Sequence, residues 1–158
     1  MTRDEVLAAL DISRRQVEER LTEGSTERFD EWSAKDLLFH FASWQAFFAA
    51  TLRARREDRR EATASEMVGM TLDPDESDRL LKLDTDETNA YVQDLYRETG
   101  WAESRSYWAG SCDRLRGEVA SLSDQQLAEG EPPLWKSIAG ASFNPFPLHL
   151  AAPNTPYG

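Results

Sequence analysis

The stretch Trp32-Ser33-Ala34-Lys35-Asp36-Leu37-Leu38-Phe39-His40-Phe41-Ala42-Ser43-Trp44, continued by Gln45 to Leu52, decides how this chain folds. Leu37, Phe41, Trp44, Phe48 and Leu52 recur at intervals of four, three, four and four residues. That spacing puts them on one side of an α-helix. His40, Trp44, Phe47 and Thr51 make an adjoining stripe, so the apolar face is wide and the helix is predicted to lie between neighbours. Ser33 followed by Asp36 is a capping signal, and the helix closes on Arg53, Arg55, Arg56, Arg59 and Arg60, cations that suit the negative end of the helix dipole. These arginines read either as a solvated helix end or as a binding patch.

Helical periodicity continues on both sides. Thr2-Arg3-Asp4-Glu5 opens a first helix with Val6, Leu10, Val17 and Leu21 on one face and Gly24 as a stop. Residues 61–83 are weakly patterned and form a long connection, expected to carry one or two helical turns, a length often associated with function or motion. A third helix is expected from Asp84 to Thr99, stopped by Gly100. A fourth runs from Trp101 to Ser121, with Trp101, Trp108, Leu115 and Leu122 seven apart and Cys112 in the same seam as an inert core residue. Ser121 to Asp124 is expected to close it. Pro132-Pro133 introduces a short last helix carrying Trp135, Ile138 and Phe143, which Asn144-Pro145-Phe146-Pro147 should break. The expected fold is therefore all-α: an up-down four-helix bundle, one domain over residues 1–152 with a flexible tail at 153–158, and a long connection between helices two and three.

Composition bounds the function. A chain of 158 residues with 40% hydrophobic and 30% charged residues can build a core without staples. The net charge of -11 argues against general nucleic-acid binding, which draws its affinity from Lys and Arg on phosphates. The longest apolar run is too short for a membrane span, and Asp4 and Glu5 stand where a secretion signal would be basic, so a cytoplasmic protein is expected. One cysteine excludes an internal disulfide and a Cys-rich zinc site. There is no HExxH, Walker loop, GxGxxG or GxSxG. Motifs alone specify no reaction. Only two histidines occur, His40 and His149. His40, one turn before Trp44, is either a core histidine or an acid-base group at the mouth of an aromatic cleft.

The segment Trp32 to Trp44 resembles the W-S-x-K-D-x-L-x-H-L-x-x-W segment of DinB-like four-helix bundles. It is most similar to the subgroup named for the colibactin self-protection protein. Thr2 to Leu7 resembles that subgroup's opening, and Asn89-Ala90 its third-helix Asn. Leu122 to Leu127 is similar to its L-S-D-E-x-L turn, and Pro133 to Gly140 to the start of its last helix. In order and spacing these matches span nearly the whole chain. The family's last helix commonly continues N-T-Y-x-H-Y-x-x-H. Here the first of those histidines is Pro145 and the second is His149. An alternative alignment sets Asn154-Thr155-Pro156-Tyr157 on N-T-Y-x after an insertion; the first is preferred because it needs no gap after Trp135.

The resemblance implies a protein that handles reactive small molecules. Metal-binding relatives hold a divalent ion with three histidines and activate a low-molecular-weight thiol. The self-protection subgroup opens a strained electrophilic ring. With only His40 and His149 in ligand positions, no metal and no cofactor are expected, since catalytic zinc usually has three protein ligands. The expectation is a self-resistance or detoxification hydrolase, monomeric or dimeric, with an aromatic or electrophilic small molecule as its partner. His40 and His149 are the candidate catalytic residues. Trp44, Phe47, Asn89, Tyr96 and Trp108 are the candidate substrate-binding residues, the two indoles as stacking platforms and Tyr96 as an alternative to His40 for polarising the electrophile. A metal-dependent thiol transferase and a non-catalytic binding or structural bundle are the alternatives.

Overall fold

A computed structural model describes residues 1–25, 32–59, 61–68 and 72–142. Eight α-helices occur among them: α1 (Arg3–Arg20), α2 (Ala34–Arg56), α3 (Ala64–Val68), α4 (Pro74–Leu80), α5 (Thr85–Leu95), α6 (Trp101–Ala120), α7 (Asp124–Ala128) and α8 (Leu134–Ala141). The all-α expectation holds for these residues. His149, Phe143, Arg60, the Asn144–Pro147 breaker and the proposed tail lie outside the described residues.

The helix starts are written locally. In α1, α2, α4, α5 and α7 the capping residue (Thr2, Ser33, Asp73, Asp84, Ser123) accepts from the backbone three residues on, where Glu, Asp or Gln reaches back. Thr63 and Glu66 do the same for α3. Each box satisfies two otherwise orphaned N–H groups. The end of α2 is closed by backbone alone. Asp58 adopts φ 57°, so Arg59 N–H reaches the Ala54 carbonyl at 2.8 Å and Asp58 N–H reaches that of Arg55 at 3.1 Å. This is a Schellman turn with aspartate in the place usually held by glycine.

Helix α2 is the hub. Its first half packs Leu37, Leu38 and Phe41 against Val17 of α1, Leu21 just past its end, and Trp108 and Cys112 of α6. Its second half packs Leu52 against Val6 and Leu10 of α1, Leu115 and Val119 of α6, and Leu127 and Ile138 from α7 and α8. The late residues of α1 meet the early residues of α2, and the reverse holds at the other end, so these two helices are antiparallel. By the same test α6 runs parallel to α2. Side chains such as Leu37, Leu38 and Leu115, at 0–1% exposure, each contribute about 1.5–3 kcal/mol by leaving water.

Three expectations need correction. The third helix stops at Leu95, not Thr99: beyond it the chain passes into tighter turns, with Arg97 N–H on the Asp94 carbonyl at 3.4 Å and Thr99 N–H on that of Tyr96 at 3.0 Å, and the Lys35 ammonium binds the carbonyls of Arg97 and Thr99 at 3.0 and 2.8 Å. Those carbonyls, left without a helical partner, are satisfied by the ammonium. Ser123 and Asp124 do not close the fourth helix but open α7. The connection at 61–83 holds two helices, α3 and α4, and their Val68, Leu72 and Leu80 pack on Val92 of α5. Of the two readings of the arginines ending α2, the solvated helix end holds for the described ones: Arg53 pairs with Glu57, Arg55 with Glu129, Arg56 with Glu118, and Arg59 with Glu57 and Glu66.

Candidate functional site

Two amide side chains on α5 tie it to α2. Asn89 Oδ1 accepts from the indole Nε1 of Trp44 at 3.1 Å. One turn on, Gln93 Nε2 donates to the Asp36 carbonyl at 2.9 Å. As the α5 position rises the α2 position falls, so the pair is antiparallel. Asn89 and Gln93 are four apart and therefore share a helix face.

Beside this junction lies a cavity of about 390 Å³. That is within the range of small-molecule pockets. Trp44, Phe47 and Ser43 of α2 form one wall; Val92, Asn89 and Thr88 of α5 form another. Met67 and Val68 of α3, with Leu80, Leu81 and Leu83, close it, and Glu61, Asp84 and Thr85 complete the lining. The lining is mainly apolar, with a few converging amide and hydroxyl groups that could orient a ligand.

The α3 wall is pinned at both ends. At its start, Arg59 makes a two-pronged contact with Glu66 at 2.9 and 3.1 Å, and Glu66 also accepts from the Thr63 backbone at 2.8 Å. The guanidinium first, and the backbone N–H second, hold the Glu66 carboxyl down at about 2. At its end, the Val68 carbonyl accepts from both Tyr96 and Tyr107 hydroxyls, at 3.1 and 2.9 Å. The rings of Phe39, Tyr96 and Tyr107 stack, with centroids 4.5 Å apart for the first pair and 4.9 Å for the second.

His40 faces a second cavity, of about 330 Å³, whose described lining also includes Phe41, Phe48, Gly140 and Ala141. Trp44 and Phe47 line both cavities and form the partition between them. The His40 ring is half-buried, its Nδ1 is shielded from solvent, and Trp32 meets it edge-on with centroids 4.5 Å apart.

The structure therefore brings Trp44, Phe47 and Asn89 together around one cavity and sets His40 across the partition. Trp108 is not a stacking platform: it is fully buried between α1, α2 and α6, and its Nε1 donates to Glu18 at 3.1 Å. Tyr96 lies behind the α3 wall, outside the described lining. Its hydroxyl proton is committed to Val68, and burial raises its pKa, so it is poorly placed to polarise a ligand. Cys112 is buried, which pushes its thiol pKa up and suits an inert core residue. Sequence reasoning missed Met67 and Leu80, since α3 and α4 carry no long period that would have announced them, and also Leu83 and Thr88, in the turn before α5 and on α5 itself.

Among the described residues no group of three or more His, Cys, Asp or Glu side chains converges as metal ligands would. Of the positions the family resemblance assigns to a divalent ion, His40 lies among the described residues, and Pro145 and His149 lie outside them. No described helix is long and apolar enough to cross a membrane.

Comparison with protein-family models, curated protein sequences and solved structures returns no match to this chain.

Proposed function

We propose that this chain is an up-down four-helix bundle of DinB-like type, nearest the colibactin self-protection subgroup, that handles a reactive electrophilic small molecule in the cavity beside Trp44. The observation that carries the reading is the Trp44–Asn89 hydrogen bond on the wall of a mainly apolar cavity large enough for such a molecule. The alternating directions of α1, α2, α5 and α6 and the order of the family-like segments support it.

In the hydrolytic form of the proposal, Trp44 and Phe47 hold the flat part of the ligand and Asn89 donates through Nδ2 to its carbonyl. His40 accepts a proton from water at the partition. The water oxygen bonds to a carbon of the strained ring as the ring C–C bond breaks. The released electron pair is held by the conjugated carbonyl, and the proton on His40 returns to the adjacent carbon. Sequestration without turnover is the second reading, favoured by one observation: His40 opens on the other side of the partition from Asn89.

An aryl cyclopropyl ketone panel tests both. Thermal shift measures binding, and mass spectrometry measures the water-added, ring-opened product. Hydrolysis requires product from the wild type and at least about a 100-fold loss in His40→Ala with binding retained. Binding with no product supports sequestration. A panel that neither shifts the melting temperature nor turns over defeats the proposal.

A further inference from the structure

Ser43, Phe47, Ala50 and Ala54 follow one another on α2 at intervals of four, three and four residues, so they share one helix face. The first two line the cavity beside Trp44. The next two are buried with Ala62 in a cluster of alanines, and Met67 of α3 packs on that cluster. Met67 is also part of the cavity lining. The α2 wall of the cavity therefore runs on beneath Met67, whose half-buried side chain touches the cavity on one side and the alanines on the other.

The residue types give this arrangement a consequence. An alanine presents only a methyl group, so whatever lies over Ala50, Ala54 and Ala62 decides how much room is left there. Methionine is unbranched and flexible, and it fills irregular space without fixing its shape. The helix that carries it is anchored by its neighbours. Arg59 holds Glu66, and the Tyr96 and Tyr107 hydroxyls hold the Val68 carbonyl. Shortening residue 67 thus opens space over the alanines while α3 stays in place.

We infer that Met67 sets the length of ligand the cavity takes, and that what it measures is the unbranched apolar tail of a neutral molecule whose flat head lies against Trp44. The tail runs past Phe47 toward Ala50 and Ala54 and ends where it meets Met67. This rests on the cavity being a ligand site, and it names the class of what enters. Each methylene that leaves water gains roughly 4-fold in affinity, so the chain length at which that gain stops reports where the tail is blocked.

The n-alkyl phenyl ketones from propiophenone to octanophenone, titrated by tryptophan fluorescence at pH 7, read that length directly. Melting temperature checks that each variant is folded. On the wild type the affinity is expected to rise by roughly 4-fold per methylene and then stop. In Met67→Ala the short ketones bind as before, and the rise continues for about three further carbons, matching the Cγ, Sδ and Cε removed. Adding Ala54→Leu to Met67→Ala refills the space and returns the stopping point to that of the wild type. Met67→Phe, which adds bulk, stops the rise about one carbon earlier. If Met67→Ala does not fold, Met67→Phe decides alone. A stopping point that ignores residue 67, or a gain in Met67→Ala that Ala54→Leu leaves intact, overturns the inference and leaves the ligand cavity standing. If no ketone binds the wild type or any variant, the cavity fails as a ligand site and the inference falls with it.

Discussion

The indole Nε1 of Trp44 donates to Oδ1 of Asn89 at 3.1 Å, joining α2 to α5 at the edge of the larger cavity. Both residues are half-buried, so an unmatched partner would be only partly rescued by water. Trp44→Phe and Asn89→Leu should each destabilise the fold by about 1–2 kcal/mol. The double variant should lose less than the sum, with a coupling of about 1 kcal/mol in a urea-unfolding cycle. Strict additivity would mean that the bond contributes nothing.

Trp108 and Trp44 should answer differently to truncation. Trp108 is fully enclosed by the core, so Trp108→Ala should cost about 3–5 kcal/mol of stability. Trp44 lines the cavity, and Trp44→Ala should weaken a bound ligand more than it weakens the fold. Trp108→Phe, which keeps most of the ring volume, should leave probe affinity unchanged. A loss of affinity in Trp108→Phe at full folding would return that residue to the site.

Glu66 gives the fold an acid-sensitive joint. Its folded pKa of about 2 lies below the usual 4.5. The carboxylate form is the one that Arg59 and the Thr63 backbone bind, so its stabilisation is complete above pH 4.5 and is lost as pH falls toward 2. A shift of that size corresponds to about 3 kcal/mol. The Glu66 side chain is 27% exposed, and solvent screening reduces the expected effect to about 1–2 kcal/mol. Glu66→Gln retains a capping side chain while removing the charge. Urea titrations should find it less stable than the wild type by that amount at pH 6 and equal to it near pH 2. A gap that does not depend on pH would assign the role to packing.

Asp58 holds a left-handed backbone at φ 57°, which glycine adopts without steric cost. Asp58→Gly should therefore raise stability by about 0.5–1 kcal/mol, and Asp58→Val should lower it by more, both read as melting temperature. Destabilisation by glycine would show that the aspartate side chain contributes something beyond its backbone angle.

Much of this was legible in the chain itself, for a reason that differs between elements. The starts of α1 and α2 were readable because a cap and its partner lie three residues apart and need nothing from the rest of the molecule. The apolar face of α2 was readable because helix geometry converts spacing directly into position. The seven-residue seam of α6 followed the same rule: Trp108 and Leu115 are fully buried, and Trp101 and Leu122 pack at the edges of the core. Trp44, Phe47 and Asn89, named from the sequence as candidate ligand-binding residues, line one cavity.

The remainder depended on contacts between distant residues. The turns after α5 are held by Lys35, some sixty residues before, which binds the carbonyls of Arg97 and Thr99. Whether Trp108 served a ligand or the core could not be read from spacing, since an indole fits either; Glu18 and the packing of three helices decided it. The partition that sets His40 on one side of Trp44 and Asn89 on the other exists only once α2, α5 and α8 are packed. Local hydrogen bonding and periodicity thus determined the helices and their buried faces from the sequence alone. The cavities and the separation of their polar groups were decided by tertiary packing, because each is a property of the space between elements.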